Sequence, residues 1–351
     1  MSKTMTFAAL VHKGLAEIKH RPIPELLPHE VLVRNEACNI CTTDYQQWMG
    51  LREHQGYPMV GGHENCGYIE AVGSEVTTVK VGDFVAPYGS YKGCGRCEHC
   101  LKGELLQCGD SQPKLISEEG YLGEFGFSTH QIWDEKYVIK MNKDLDPGCA
   151  CFLEPLATVL KGQEKLRIEV SDTVVVIGGG TMGILNGLAA KAAGARVIIS
   201  EMFEKKLAVA KAYGLETINP KECDPIEKVK ELTDGKGADI IIVAVGVQAA
   251  NDQALKMVKE VDGKVLYFAA AYPSPNITIS SNEVHYRRLE LIGTYGADFK
   301  NFLNSSKLLN NKIIDPSKIV EAERYPLTKM QDAFAAAATV GMYRVCVKCQ
   351  E

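Results

Sequence analysis

The spacing of apolar residues changes twice along the chain, and each change predicts a different architecture. Up to about residue 150, short runs with β-branched residues are bounded by Gly, Pro and Asp, which is typical of strands. We predict strands at residues 31–34, 67–72 and 83–86. Strands at this spacing, with few helical stretches between them, predict a β-rich, barrel-like domain.

From about residue 150 onward, apolar runs of strand length alternate with segments of helical length. We predict helices at 150–168, 182–193, 204–213 and 249–258, and strands at 173–177, 196–200, 240–245 and 264–268. Such alternation indicates right-handed βαβ units and a parallel sheet. After about residue 283 the alternation ends, and we predict a strand at 289–293, helices at 299–310 and 329–338, and a strand at 343–348. The predicted fold class is α/β, with a β-rich domain beside a doubly wound parallel sheet.

Composition and charge exclude several classes of function. The 351 residues suffice for two domains, and 46% hydrophobic with 24% charged residues is ordinary for a globular protein. A net charge of -5 provides no positive field for nucleic acid or an anionic membrane. The apolar runs are too short to cross a bilayer, and no secretory signal is visible at the N-terminus. We therefore expect a cytoplasmic protein whose twelve cysteines are free or bind metal.

The first chemical motif is a glycine-rich turn between a predicted strand and a predicted helix. It fits G-x-G-x-x-G and reads Gly178-Gly179-Gly180-Thr181-Met182-Gly183. Glu201 ends the next predicted strand, at the distance that the dinucleotide fingerprint requires. The glycines would admit a pyrophosphate to the helix N-terminus, and Glu201 would bind the adenosine ribose. A negative charge there favours NAD over NADP, although the nearby Lys205 and Lys206 weaken that preference.

The second motif is a run of four cysteines, Cys94, Cys97, Cys100 and Cys108, in a loop at about residues 93–109. Four thiolates can close a tetrahedral shell around zinc with no open position, so this site would be structural. An iron–sulfur cluster is the alternative, because C-x2-C-x2-C also opens the bacterial ferredoxin run. That run closes with Cys-Pro after three residues, whereas here seven residues precede Cys108 and Gly109 follows it. The spacing favours zinc.

A third set is dispersed along the chain and consists of Cys41, His63, Glu64 and Glu154. A catalytic zinc needs about three protein ligands and one vacancy, and sulfur, nitrogen and oxygen donors suit it. Each residue taken singly also has an ordinary structural explanation. Spacing alone does not join them into one site.

Together these motifs resemble the zinc-containing medium-chain dehydrogenase family, in particular its sorbitol and threonine dehydrogenase branch. The resemblance covers essentially the whole chain and rests on Gly62-His63-Glu64, the four-cysteine loop, Glu154-Pro155 and the glycine-rich turn. It implies a GroES-like catalytic domain formed by residues 1–153 and 290–351, and a Rossmann domain at 154–289. It also implies two zinc ions, one structural and one catalytic, and homo-oligomers of two or four chains.

The resemblance assigns roles to the dispersed residues. Cys41, His63 and Glu64 match the catalytic-zinc ligands, and Glu154 matches a nearby carboxylate that can approach or replace one of them. Thr43 matches the hydroxyl residue that passes the substrate proton. Gln46 occupies a position where many relatives have a relay histidine, and Gly293-Thr294-Tyr295 lacks the Arg-Tyr pair of polyol dehydrogenases.

The resulting expectation is a zinc-dependent enzyme that oxidises a small secondary alcohol to a ketone with NAD, and catalyses the reverse. A polyol or sugar acid is the first substrate class. A hydroxy amino acid or a bulky ring alcohol is the alternative. A noncatalytic zinc- or nucleotide-binding protein and a zinc-free reductase of the same fold remain as further hypotheses.

Overall fold

The chain divides into two units, unit 1 (residues 1–157 and 297–351) and unit 2 (residues 158–296). The computed structural model describes residues 3–52, 56–88, 93–109, 117 and 120–350. The domain boundaries expected from the sequence, after residues 153 and 289, lie a few residues before these divisions. Among the described residues, no helix is long and apolar enough to cross a membrane.

Unit 1 is built mainly from strands, in agreement with the predicted β-rich domain. Its strands are β1 (Thr4–His12), β2 (Leu15–Pro22), β3 (Glu30–Asn39), β4 (Glu64–Val72), β5 (Phe84–Pro87), β6 (His130–Asp134) and β7 (Val138–Lys140), then β14 (Val320–Pro326) and β15 (Arg344–Lys348) after unit 2. β1 and β2 form an antiparallel pair, while the larger sheet runs β14-β15-β3-β4-β5-β7, with β6 also paired to β3.

The helices of unit 1 are short, except where the chain passes into unit 2 and where it returns from unit 2. They are α1 (Thr42–Met49), α2 (Glu98–Leu101), α3 (Pro147–Ala150), α4 (Leu153–Leu166, which continues into unit 2), α10 (Phe299–Asn310) and α11 (Met330–Ala337). α11 packs on β15, where Phe334 joins Phe127 and Val345 in a buried apolar cluster.

Unit 2 is a six-stranded parallel sheet with strand order β10-β9-β8-β11-β12-β13. Its elements are β8 (Thr173–Ile177), α5 (Thr181–Ala192), β9 (Arg196–Ser200), α6 (Glu204–Ala212), β10 (Glu216–Ile218), α7 (Pro225–Leu232), β11 (Ile240–Val243), α8 (Gln248–Met257), β12 (Lys264–Tyr267), α9 (Ser281–Arg287) and β13 (Glu290–Gly293). The strand order reverses between β8 and β11, and ligands of such sheets bind outside the carboxyl ends of the strands at that point. The predicted doubly wound sheet is confirmed.

One predicted element is divided in the structure. The sequence predicts a single helix over 150–168, but α3 ends at Ala150 and α4 begins at Leu153. Pro155 has no N–H to donate to the carbonyl of residue 151, and its ring crowds that carbonyl. A helix that contains Pro155 must therefore start close upstream, where the first N–H groups have no intrahelical acceptor in any case.

Candidate functional site

Two chain segments of unit 1 that are distant in sequence meet at the carboxylate of Asp44. Cys41 precedes the first turn of α1, and its N–H donates to Asp44 Oδ2 at 2.9 Å. The N–H of Gly62 donates to Asp44 Oδ1 at 3.3 Å, and His63 Nδ1 lies 3.8 Å from the same oxygen. Asp44 is buried, so one carboxylate fixes both segments. Asp44 was not selected from the sequence, although an acidic residue three positions after the residue that caps a helix is a capping-box signal.

Where these two segments meet, side chains that can bind a metal ion lie close together. Among the described residues, donor atoms of Cys41, His63 and Glu64 all lie within 4.8 Å of one another. A tetrahedral zinc shell with bonds of about 2.0–2.3 Å places its donor atoms about 3.3–3.8 Å apart. The combination of one sulfur, one nitrogen and one oxygen is also suited to a catalytic zinc. The residues therefore fit zinc.

The carboxylate of Glu64 is held by a buried arginine. Arg344, the first residue of β15, donates from Nη2 to Oε1 at 2.7 Å and from Nε to Oε2 at 2.9 Å. Its Nη2 also lies 3.6 Å from Cys41 Sγ. Negative groups at the site, with Glu64 first among them, hold the pKa of the Arg344 guanidinium above its usual range despite burial. Arg344 was not selected from the sequence, where nothing marks it as different from any charge at a strand end.

Glu154 lies beside this group but is not a member of it. Burial raises the pKa of its carboxyl to about 7, against the opposing effect of His63. For His63, burial alone would lower the pKa, but Asp44 and Cys41 raise it well above its usual range. The site thus attracts positive charge, which is the electrostatic requirement for a cation site.

Thr43 supplies a hydroxyl next to these residues. Its Oγ1 is buried and has no hydrogen-bond partner among the described residues. An unpaired buried hydroxyl costs free energy unless a ligand or water supplies the partner. The Oγ1 of Thr43 is therefore available for a hydrogen bond to a ligand or to water.

The four cysteines of the loop also converge. The sulfur atoms of Cys94, Cys97, Cys100 and Cys108 lie within 4.8 Å of one another. The N–H groups of Cys94, Cys97 and Cys100 each point to a sulfur of the set at 3.4 Å. Donation from the backbone of Arg96 and Cys97 lowers the pKa of the Cys94 thiol to about 6. Four sulfur atoms gathered in this way, three of them accepting backbone N–H groups, fit a closed structural zinc shell.

In unit 2, the glycine-rich turn links β8 to the start of α5. A Cβ on Gly183 would lie 1.8 Å from the carbonyl oxygen of Gly178, so the close approach of helix to strand requires glycine. No side chain of the described residues caps α5 at Gly180. The turn therefore presents the N-terminal end of a helix dipole, which favours bound phosphate.

Glu201 follows β9 and is held against this turn. Its Oε2 accepts from the N–H of Gly179 at 2.8 Å, and its Oε1 accepts from the N–H groups of Met202 and Phe203 at 2.6 and 3.0 Å. The carboxylate is buried and fixed in place. Lys206 reaches the same region, with Nζ 5.2 Å from the centre of the Phe203 ring.

Comparison with known proteins matches both units. A family model described as alcohol dehydrogenase GroES-like domain matches residues 27–143, and one described as zinc-binding dehydrogenase matches residues 181–311. An L-threonine 3-dehydrogenase of Bacillus subtilis is 32% identical over 327 residues, 89% of each chain. A sorbitol dehydrogenase of Halalkalibacterium halodurans is 27% identical and covers 92% of each chain.

A solved structure extends the similarity to the fold. A zinc-binding dehydrogenase of Sinorhizobium meliloti bound to NADP superimposes with a TM-score of 0.88 at 26% identity, over 99% of both chains. The structural similarity thus covers nearly all of the chain. The chain therefore belongs to the zinc-containing alcohol dehydrogenase family, in its threonine and sorbitol dehydrogenase branch, and is an oxidoreductase that acts on CH–OH groups.

Proposed function

We propose that unit 1 is the catalytic domain of an NAD-linked dehydrogenase of secondary alcohols, and that unit 2 is its nucleotide-binding domain. The observation that carries this proposal is the convergence of Cys41, His63 and Glu64 beside the unpartnered hydroxyl of Thr43. A purely structural metal site does not require a neighbouring hydroxyl group that lacks a hydrogen-bond partner. A binding module likewise needs no mixed-donor site that leaves a coordination position open.

Cys41 and His63 would hold a catalytic zinc, with a carboxylate from Glu64 or Glu154 as the third donor. Zinc bound there would supply a Lewis acid for the carbinol oxygen, and a nicotinamide nucleotide would supply the hydride acceptor. Thr43 Oγ1 would accept the proton of the substrate hydroxyl and pass its own proton to water. One hydride and one proton leave the alcohol, which balances oxidation to a ketone. Asp44 would keep the two ligand-bearing segments together during the reaction.

The cofactor is proposed to be NAD. The fixed carboxylate of Glu201 lies where an acidic residue of the fold binds the adenosine ribose hydroxyls, and a 2'-phosphate would meet a like charge there. Lys206 reduces this penalty because its ammonium lies in the same region. We therefore expect NAD to be preferred, with measurable activity with NADP. A preference for NADP in kcat/KM would overturn the assignment.

A polyol or sugar acid is the first substrate candidate. A hydroxy amino acid is the second, and the observation that favours it is the 32% identity to an L-threonine 3-dehydrogenase over most of both chains. A bulky ring alcohol is the third substrate candidate. The small-molecule substrate and the two thiolate sites suit a reducing, cytoplasmic setting.

The chain is proposed to form homo-oligomers of two or four copies. β13 ends the sheet of unit 2, and its outer edge pairs with no strand of the described residues. Exposed strand edges are places where a second copy can add. Light scattering coupled to size exclusion should give two or four chains, and a monomer would contradict this proposal.

The test combines metal content with a substrate panel. We expect about two zinc ions per wild-type chain, and NADH formation with one class among polyols, hydroxy acids, L-threonine and ring alcohols. Cys41→Ser should retain about one zinc and lose turnover, whereas Cys97→Ser should lose the zinc of the loop. The exposed Cys223 provides the control, because Cys223→Ser should retain both ions and full activity.

The alternatives predict other outcomes. One zinc per chain with no turnover of any alcohol would indicate a noncatalytic binding protein. Turnover with no bound zinc would indicate a zinc-free reductase. Either result would refute the proposed function.

A further inference from the structure

The turn that follows β10 leaves the sheet of unit 2 beside Glu201. β10 pairs in parallel with β9, and Ile218 is the register partner of Ser200. The N–H of Glu201 donates to Ile218 O at 3.1 Å, and the N–H of Gly178 donates to Ser200 O at 2.8 Å. The residues after β10 therefore emerge at the same edge of the sheet as Glu201 and the glycine-rich turn.

This turn is fixed to the start of α6 by one asparagine. Asn219 Nδ2 donates to Glu204 Oε1 and to Glu222 Oε1, both at 2.9 Å. Asn219 Oδ1 accepts from the N–H of Lys221 at 3.1 Å. An asparagine that binds the backbone two residues on holds a turn in one conformation. Lys221 thus projects from a turn that is tied to the helix carrying Lys206.

Two ammonium groups lie beside the ring of Phe203. Lys206 Nζ is 5.2 Å from the ring centre and Lys221 Nζ is 5.6 Å from it, within the range of cation–π contacts. The ring is 38% exposed, so a ligand can reach this place. Among the described residues, neither ammonium forms an ion pair with a carboxylate. Two positive charges held close together without a carboxylate attract an anion.

The two lysines differ in their relation to the glycine-rich turn. A Cβ on Gly180 would lie 3.8 Å from Lys206 Nζ, so this ammonium lies against the turn itself. NAD and NADP would both be bound by that turn, and Lys206 would therefore act on both. Lys221 comes from the turn after β10 instead. Its charge would act on a group that extends from the adenosine ribose toward that turn.

The carboxylate of Glu201 is largely occupied by backbone donors. Three N–H groups, from Gly179, Met202 and Phe203, donate to its two oxygens. An ionised carboxylate offers about four acceptor positions, so about one remains for a ribose hydroxyl. The three donors also offset part of its negative charge, so a 2'-phosphate is repelled less than it would be by a free carboxylate. In this fold a basic residue close to the acidic one is what accommodates a 2'-phosphate.

We propose that Lys221 is a specificity-determining residue that binds the 2'-phosphate of NADP and NADPH, so that the chain accepts NADP as a second cofactor beside the preferred NAD. This inference rests on the proposed function, since it assigns a further contact in the nucleotide site of unit 2. Lys206 would strengthen the binding of both cofactors. Lys221 would strengthen only the binding of the phosphorylated one.

The experiment measures binding, without turnover, of two pairs of nucleotides. NADH and NADPH are titrated by fluorescence, and 5'-AMP and adenosine 2',5'-bisphosphate by calorimetry. The members of each pair differ only in the 2'-phosphate. Lys221→Met should weaken NADPH and the bisphosphate about 10-fold, because one ammonium at contact distance from about two negative charges has about this effect in water. NADH and 5'-AMP should change by less than about 2-fold.

Three controls separate the local charge from general effects. Lys256→Met removes an exposed positive charge from α8, which links β11 and β12 in the other half of the sheet, and should change none of the four dissociation constants. Lys221→Arg keeps the charge and should keep the affinity for NADPH. At about 1 M salt, where the Debye length is about 3 Å, the difference between wild type and Lys221→Met should become smaller.

The outcomes separate this inference from the function on which it rests. Equal weakening of NADH and NADPH by Lys221→Met would indicate a role in holding the turn and overturn the proposal, as would no change in either. A wild type that binds NADH but neither NADPH nor the bisphosphate would also overturn it and leave the proposed function standing. A wild type that binds none of the four nucleotides would refute the role of unit 2, and with it the proposed function.

Discussion

The buried pair of Arg344 and Glu64 allows a quantitative prediction. The two side chains are 6% and 0% exposed, and two hydrogen bonds of 2.7 and 2.9 Å join them. With charge centres about 4 Å apart and an effective dielectric of about 20, the pair interacts by about 4 kcal/mol. Removal of one partner also leaves the other charge buried and unpaired. We therefore expect Arg344→Met to lower the free energy of unfolding by about 3–5 kcal/mol.

Tryptophan fluorescence can be used to follow the unfolding of unit 1 alone. The chain has two tryptophans, and Trp48 and Trp133 both belong to unit 1. Urea unfolding monitored by tryptophan fluorescence therefore reports the unit that contains the pair. The measurement is made in zinc-containing buffer and again with a chelator, so that loss of metal is separated from loss of the ion pair.

A double-mutant cycle provides the control. Glu64→Met combined with Arg344→Met replaces both charges by apolar side chains, and such replacements are often close to neutral. We expect the double variant, in chelator, to lie within about 2 kcal/mol of wild type. A cost below about 1 kcal/mol for Arg344→Met, or a double variant as unstable as the sum of the two single variants, would refute the reasoning.

Three further predictions concern other parts of the chain. Gly183→Ala would place a methyl group 1.8 Å from a carbonyl oxygen of the turn, so NADH binding measured by fluorescence should weaken at least ~10-fold. Gly293→Ala, which meets nothing within 4 Å, should bind normally, and normal binding by Gly183→Ala would contradict the assignment of the turn. Hydrogen bonds from Thr78 lower the pKa of Glu135 to about 2, so this carboxylate stabilises the fold above its ordinary pKa and loses the effect as the pH falls toward 2. Glu135→Gln should lower the free energy of unfolding by about 2 kcal/mol at pH 7 and by much less near pH 2, where about half of this carboxylate is protonated in the folded state. An equal loss in urea unfolding at both pH values would argue against this. Gln46→His adds an acid–base group beside the proposed relay and should change the pH dependence of kcat, whereas an unchanged profile would indicate that the relay does not pass position 46.

The elements of unit 2 could be predicted from the sequence because their signals are local. The bounds of β8 and β9 agree with those expected from their apolar runs, since a strand buried on both faces needs a continuous run of apolar residues. The glycine-rich turn was recognisable for the same reason, because helix, turn and strand are adjacent in the chain. The four cysteines of the loop also lie within one short segment.

Other elements had no such signal. α1 is a polar helix of eight residues, and only tertiary contacts make it stable at that length. β7 and β10 have three residues each, too short for a periodic pattern. These two strands could not be distinguished from loop by their composition or by the spacing of their apolar residues.

The residues of the candidate site were likewise predictable from the sequence only in part. The residue types Cys41, His63, Glu64 and Glu154 were identified through the resemblance, and the sequence alone did not join them. Asp44 and Arg344 were found only in the structure, and Arg344 reaches Glu64 across 280 positions of the chain. Charge pairing of this kind depends on which strands lie side by side, here β15 and β4 on either side of β3. The sequence by itself thus determined the local motifs and the class of chemistry, whereas the tertiary structure decided which charges surround that chemistry, because electrostatic interactions depend on distance in space and not along the chain.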